Sequence, residues 1–386
     1  MATGRAATDN RVGASPVLPE LGFAALAGSP ENPRELLVEA QEAERIGLGS
    51  AFLPERLSIK EAATLSGAVG AVTHRLGIAT TATNLAARHP LITASHALTM
   101  HKLTGGRFAL GIGRGIPGRV TDLGLTPVTT ARIADFAWLM RRLWSGETII
   151  DHDGPAGRFP RLSLETTSRD HIPMAIAAFG PKSQALGGRV FDAVVLHTFF
   201  SDDTTRRAVA QIRTAAERSG RDPAAVRIWA VLATAGDHLP PEDRRRRTVG
   251  RLATQLQAYG DLLVAANRWD PAVLERFRQD LFVQSFRGPI EAGASDSELE
   301  HVAGLLPDAW AAASAAGDRS QCAAAVANQL QLGVDGVILD GAAPWELEPI
   351  VDAYRLQRDE ARFARLRPNP AARRRDLRRP VAPGAT

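Results

Sequence analysis

Eight short apolar runs recur along this chain, and none of them alternates with polar residues. They are LGFAALA (21–27), GSAFL (49–53), LGIATT (76–81), RFALGI (107–112), PMAIAA (173–178), DAVVLH (192–197), RIWAVLAT (227–234) and DGVIL (335–339). A strand with one wet face reads polar at every second position, so continuous runs of this length suit strands buried on both faces, as in a parallel sheet. Helical patterns separate them. In ENPRELLVEAQEAERIG, Asn32 can cap, Pro33 suits the first turn and Gly47 the exit, while Leu36, Ala40, Ala43 and Ile46 line one face. TTARIADFAWLMRRLWSG repeats the scheme with Ile133, Phe136, Met140, Leu143 and Trp144, and stops at Gly146. SDDTTRRAVAQIRTAAERSG opens acidic and closes on glycine, as the helix dipole favours. Eight strand–helix units predict an α/β fold of the (β/α)8 TIM-barrel type, a scaffold of about 250 residues before insertions.

The 386 residues leave room for such insertions within one barrel domain spanning 18–360. The largest, about 236–317, follows the seventh strand and reads as helical; a second, near Glu147 to Ile172, reads as a β-rich or loop excursion. Residues 1–17 and the Arg-rich tail 361–386 read as flexible. The 45% hydrophobic content supports a substantial core. No run reaches the roughly 18 apolar residues of a membrane span, and the start, MATGRAATDNRVG, has no apolar signal core, which points to the cytoplasm. The single cysteine, Cys322 in SQCAAAVANQL, excludes an internal disulfide framework and a Cys-rich zinc site, and reads as a small buried residue. None of the nine histidines has a metal-site spacing such as H-E-x-x-H, so no metal is expected. The absence of G-x-S-x-G and of a P-loop argues against hydrolase and kinase chemistry. The net charge of +4 owes much to the tail, where eight arginines and one aspartate follow Ala361. The tail and RRRR (244–247) read as solvated charge runs, and nucleic acid is not the expected partner; a nucleic-acid arm in the tail is the alternative, marked by steep salt dependence.

GRGIPG (113–118) has the G-x-G-x-x-G spacing of a dinucleotide-binding turn. That fingerprint needs a helix at once and an acidic residue about 20 positions on, at the end of the next strand. Here RVTDLGLTPV follows, Pro127 is expected to hold off a helix until about Thr129, and Asp135 falls inside that helix. The motif also follows the fourth strand rather than the first. It reads as a glycine-rich loop at the barrel's C-terminal mouth, where backbone amides can still face phosphate.

With the barrel in place, TATNLAARHPLITASHALTMHKLTGGRFALGIGRG (81–115), RRLWSGE (141–147), AAFGPKSQALGGRVFDAVVL (177–196) and LGVDGVIL (332–339) occur in an order and spacing that resemble the luciferase-like monooxygenase family. The likeness is to its branch using coenzyme F420, a deazaflavin, and covers roughly residues 20 to 355. The resemblance implies an oxidoreductase that transfers a hydride between F420 and a small organic substrate, in a homodimer. An FMN-dependent monooxygenase on the same barrel is the alternative, as is a non-catalytic flavin- or deazaflavin-binding protein. It implies a non-prolyl cis peptide at the end of the third strand, here Thr81–Ala82, behind the cofactor ring, with Asn84 and Arg88 downstream. It places Gly111, Gly113, Arg114 and Gly115 near the ribityl phosphate chain, where Arg114 and Arg119 would complement a phosphate or the coenzyme's acidic glutamyl tail. It places Ala177, Ala178, Phe179, Gly180 and Pro181 in a loop closing over the cofactor. Arg119 also reads as a surface arginine, and Phe179 as packing.

Two acid–base candidates emerge at strand ends, where a barrel gathers its chemistry. Glu55, in FLPERLSIKEA after the second strand, would contact the deazaflavin or relay a proton, with Arg56 holding that carboxylate ionised or binding substrate. Family relatives often carry Asp or His near this point. The pair also reads as a surface Glu–Arg capping the next helix. His197 ends the sixth strand and is the second candidate, with a structural histidine as its alternative. His89, in RHP, is expected to order its loop. Trp229, Trp269 and Trp310 read as aromatic core more readily than as pocket lining.

Overall fold

The computed structural model describes residues 15–25, 32–56, 59–166 and 170–372. Each of the eight expected runs forms a strand: β1 (Leu18–Ala24), β2 (Leu48–Leu53), β3 (Gly77–Thr80), β4 (Phe108–Gly113), β5 (Met174–Ala177), β6 (Ala193–Val195), β7 (Arg227–Gly236) and β8 (Gly336–Asp340). Every neighbouring pair is parallel. β7 pairs with both β6 and β8, and β8 pairs with β1, which closes the barrel. A helix follows each strand: α1 (Glu35–Arg45), α2 (Ala62–Val72), α3 (Pro90–Leu103), α4 (Thr130–Trp144), α5 (Pro181–Val190), α6 (Asp202–Arg218), α7 (Arg319–Gln331) and α8 (Pro344–Gln357). Their apolar stripes are the ones the sequence displays: Leu36, Ala40, Ala43 and Ile46 are buried, as are Ile133, Phe136, Met140, Leu143 and Trp144. No described helix is long and apolar enough to cross a membrane.

Inside the barrel the strands present alanines, Ala79, Ala109, Ala175 and Ala193, and the space they leave is filled by Phe52 and Trp229, which meet edge to face at 4.8 Å. Trp269 and Trp310 stack at 4.3 Å, with Trp310 buried, so all three tryptophans serve packing. The barrel floor corrects the reading of the tail. Arg227, fully buried at the start of β7, donates to the carbonyls of Pro19, Arg367 and Asn369. Trp229 Nε1 donates to Pro370 O at 2.7 Å, and Asn369 Nδ2 to Gly106 O and Phe108 O at 2.7 and 2.9 Å. Ala371 joins the alanine-lined core. The expected flexible tail is therefore packed structure as far as residue 372, because a buried guanidinium needs acceptors and this segment supplies them. Residues 373–386 lie outside the described residues, as do 1–14 of the expected flexible N-terminus.

Between β7 and α7 the chain builds the helices Pro241–Arg245, Arg246–Gly250, Arg251–Asn267, Pro271–Gln279, Leu281–Ser285, Ile290–Gly293, Asp296–Leu305 and Asp308–Ala311, then a strand, Ser314–Gly317, that extends the sheet alongside β7. RRRR is not a solvated run. Arg245 pairs with Asp296 and Glu300, Arg246 donates to the carbonyls of Glu291 and Ala294, and Arg247 pairs with Glu346 at 2.8 Å. These arginines clamp the insertion to itself and to α8. The excursion after α4 is an antiparallel hairpin, Ile149–Gly154 with Gly157–Leu162.

Candidate active site

β3 and β4 approach closely at the mouth, and glycine permits it. Thr80 Oγ1 donates to Gly111 O at 2.7 Å and accepts from Gly111 N at 2.9 Å. A Cβ on Gly111 would stand 1.8 Å from Thr80 O. Gly111 thus permits the close approach of β3 and β4. Beyond Thr80 the Thr81–Ala82 peptide is cis, and the chain rejoins the sheet as a two-residue strand, Thr83–Asn84, against Ile112 and Gly113. A Cβ on Gly113 would meet Ala82 Cβ at 2.8 Å and Ala177 Cβ at 3.8 Å. Three strand ends therefore contribute the smallest side chains to one shallow wall, with Ala177 exposed. The Thr81 and Thr83 hydroxyls that flank Ala82 in the chain are buried with no hydrogen-bond partner among the described residues, and Thr83 pairs in register with Ile112 of the helix-side core. A flat wall of backbone and methyl groups with no larger side chain suits a planar ring.

Glu55 supports this wall from behind. Its carboxylate accepts from Asn84 N at 2.6 Å, Ala62 N at 3.3 Å and Arg88 Nη2 at 2.8 Å, and its side chain is 1% exposed. Arg88 also pairs with Glu61, whose carboxylate caps α2. Asn84 Oδ1 accepts from Ala86 N at 3.2 Å and its amide lies against Gly115, which takes φ +69°. The expectation of Glu55 as an acid–base group is corrected: its oxygens are engaged by three donors that tie the second and third strand–helix loops together. Arg88, expected at the cofactor, is held by two carboxylates instead.

Arg114 is likewise turned inward. It donates to Val128 O at 3.0 Å and to Thr130 Oγ1, pinning the start of α4 rather than facing a phosphate. A six-residue helix, Pro117–Asp122, starts where the sequence reading expected none before Thr129, because Pro117 suits a first turn; it ends before Gly124, at φ +70°. It leaves Arg119 exposed. The strand context still excludes the dinucleotide reading, since the glycine loop follows β4 of a closed barrel.

After β5, Ala178 N donates to Val195 O at 2.9 Å and Gly180 begins α5, with Pro181 at its first turn. Phe179 packs on His197 with ring centroids 4.2 Å apart, and Phe200 and Tyr259 complete the aromatic group. Here the structure unites two separate sequence candidates. His197 Nδ1–H donates to Thr198 O at 3.0 Å, since a carbonyl can only accept, which leaves Nε2 as a lone-pair acceptor. Burial holds the ring's pKa down to about 4, with Asp340 opposing weakly. The next residue but one, Phe199, takes φ +61° and its carbonyl accepts from Asn267 Nδ2 at 2.9 Å. His89 Nδ1 accepts from Leu91 N at the start of α3, which is the loop-ordering role expected of it.

A network the sequence reading missed lies under the insertion. Asp340, ending β8, accepts from Arg251 Nη1 at 2.7 Å; Arg251 Nε is 3.3 Å from Glu291; Arg56 Nη2 reaches Glu291 at 3.9 Å. Lys60 is buried nearby, and that burial pushes its pKa down to about 8. Asp340 was findable, being a carboxylate at the C-terminal end of the last strand. Arg251, Glu291 and Tyr259 gave no local signal, since only the fold of the insertion brings them to the mouth.

The sequence model of the family described as luciferase-like monooxygenase matches residues 12–336. The chain is 28% identical over 194 residues to 5,10-methylenetetrahydromethanopterin reductase of Methanolobus tindarius, covering 50% of this chain and 58% of that protein. It is 28% identical over 203 residues to F420-dependent glucose-6-phosphate dehydrogenase of Nakamurella multipartita, covering 49% and 60%. It thus spans under two thirds of the length of these relatives. Among solved structures it resembles the coenzyme F420-dependent tetrahydromethanopterin reductase from Methanopyrus kandleri, with a TM-score of 0.73 at 18% identity over 89% of this chain and 99% of that one.

Proposed function

The chain belongs to the luciferase-like monooxygenase family, and on that premise we propose that it is a coenzyme F420-dependent oxidoreductase acting on a small organic substrate. One observation carries the reading: the wall of Ala82, Gly113 and Ala177, three small residues from three strand ends. Of the two relatives, one is a reductase by name and the other an F420-dependent dehydrogenase by name. When bound, the deazaflavin supplies or takes up the hydride, and the protein supplies position, dryness and polar contacts. The small side chains admit a flat ring. Glu55, through Asn84 and Arg88, is a positioning residue that fixes the wall. His197, neutral at pH 7 and with Nδ1–H engaged by Thr198 O, uses Nε2 to accept a hydrogen bond from a substrate hydroxyl. A homodimer belongs to the same reading, and sedimentation of the purified protein reads it directly.

The test is an equilibrium titration with F420 and, separately, FMN, followed by fluorescence polarisation. Micromolar or tighter binding of F420 with little affinity for FMN is expected. Tight FMN binding alone transfers the chain to oxygen-using monooxygenase chemistry, and binding of neither overturns the reading.

A further inference from the structure

We propose that the insertion sets the histidine at the barrel mouth, with Asn267 as the positioning residue. Its amide clamps the backbone on both sides of Phe200 and so keeps Thr198 O on His197 Nδ1, which leaves Nε2 as the acceptor. That a substrate uses this acceptor rests on the oxidoreductase reading; what holds the ring goes beyond it.

Phe199 stands in the left-handed region, at φ +61°, and is fully buried. A bulky side chain rarely takes that conformation, which persists only where the surroundings impose it. Its effect here falls on the peptide unit before it. Thr198 O and Phe199 N belong to one planar unit, so φ at Phe199 fixes how that unit is turned relative to the Phe199 carbonyl. In the turn observed, Thr198 O lies 3.0 Å from His197 Nδ1. A carbonyl only accepts, so Nδ1 carries the proton, and the bond made by one ring nitrogen decides what the other can do. A return of Phe199 to negative φ turns the Thr198 carbonyl away and releases the ring.

Asn267 imposes that conformation. Its Oδ1 accepts from Ser201 N at 2.9 Å and its Nδ2 donates to Phe199 O at 2.9 Å. Only this orientation of the amide satisfies both groups, since a backbone N–H must donate and a carbonyl must accept. The side chain is buried, where an unmet backbone group is costly. The anchor is itself held. Asn267 ends the helix Arg251–Asn267, Arg268 caps it at φ +55°, and Trp269 stacks on buried Trp310. Ala266 O accepts from Thr204 Oγ1 at 3.1 Å and from Arg207 Nη2 at 2.7 Å, tying the same helix end to α6. Further back in that helix, the Tyr259 ring meets His197 edge-on at 5.2 Å. The insertion therefore reaches His197 twice, by ring contact and through the carbonyl that holds its proton.

The experiment is a long-range proton–nitrogen correlation spectrum of the full chain without ligand, carrying isotope-labelled histidine, at neutral pH. It separates protonated ring nitrogens from those with a lone pair, and His197→Gln identifies the signals. Wild-type His197 is expected as the Nδ1–H tautomer alone. Asn267→Asp keeps the size of the side chain and the acceptor for Ser201 N, but sets a carboxylate oxygen against Phe199 O; Asn267→Ala removes both bonds. In each, the Nδ1–H tautomer is expected to give way to Nε2–H, the form that a histidine without this bond favours. Thr204→Val, which cuts a neighbouring tie to the same helix end and leaves the clamp, is expected to melt lower and keep the wild-type tautomer. The proposal is overturned if wild-type His197 carries its proton on Nε2. It is equally overturned if the Asn267 variants melt lower with the tautomer unchanged, as a purely structural asparagine would have it, or if Thr204→Val shifts the tautomer as far as they do. Where Asn267→Ala does not fold, Asn267→Asp decides. Binding of neither F420 nor FMN by wild type defeats the oxidoreductase reading alone, because the tautomer is read without ligand.

Discussion

Glu55 receives donors from residues 7, 29 and 33 positions further along the chain. Its place just past a strand end was legible in the sequence, but its occupation was not, because two of the three donors that fill its oxygens, Asn84 and Arg88, come from the next strand–helix unit. Glu55→Gln removes the buried one of the two carboxylates that neutralise Arg88 and leaves it with Glu61. It is expected to cost about 2 kcal/mol in denaturant unfolding, the scale of a charge-assisted hydrogen bond, with weaker F420 binding as the Thr81–Asn84 turn loosens. Stability equal to wild type together with loss of one limb of the pH–rate profile would restore the acid–base role. The histidines make a second prediction. His96 and His197 are both held near about 4 by burial, against 6.5 in an unfolded chain, so each must take up a proton on unfolding in acid. These two histidines therefore leave stability flat above pH 6.5 and lower it as pH drops from there towards 4, while Lys60, held down to about 8, adds a rise with pH only above that value. The slope is at most about 1.4 kcal/mol per pH unit for each histidine, less for the part of each ring that solvent reaches. Urea unfolding across this range reads it, and His96→Gln should reduce the slope.

Helices and strands were legible where burial is regular: the stripe Leu36, Ala40, Ala43, Ile46 faces the sheet as its spacing implies. The C-terminal segment was not, because Pro, Asn, Ala and Arg read locally as flexible chain. The one signal was Arg227, a charged residue opening an otherwise apolar strand run, which must find acceptors somewhere. Truncation after Phe363 is expected to strip Arg227 of its Arg367 and Asn369 acceptors and lower stability by about 3 kcal/mol or more. Truncation after Ala372 is expected to change the melting temperature little. Equal melting of both would mean that the segment contributes nothing to the floor. The arginines at 245–247 teach the same lesson: a run of charge reads as solvated until an insertion folds back with Asp296, Glu300 and Glu346 in reach.

For the molecule as a whole, the number and order of strand–helix units were written in the apolar runs, since a closed parallel barrel leaves no strand face for polar alternation. What lies across the mouth was not, because it joins Asp340 from the last strand, Arg56 from the second unit and Glu291 from the insertion. Closure also implies that the core opens as a unit. Cys322 is buried, and burial raises its thiol to about 11; its labelling by a disulfide reagent at pH 8 is expected to follow global unfolding, and fast labelling of the native protein would show local opening of α7 instead. The central claim is that a deazaflavin ring lies on the wall formed by Ala82, Gly113 and Ala177. Ala177 is exposed in that wall, so Ala177→Leu fills the ring's place without disturbing the core. The measurement is the F420 dissociation constant of this variant beside its melting temperature. A loss of affinity of about tenfold or more, the scale of a displaced contact surface, at unchanged melting is predicted. Unchanged affinity for F420 would contradict the account.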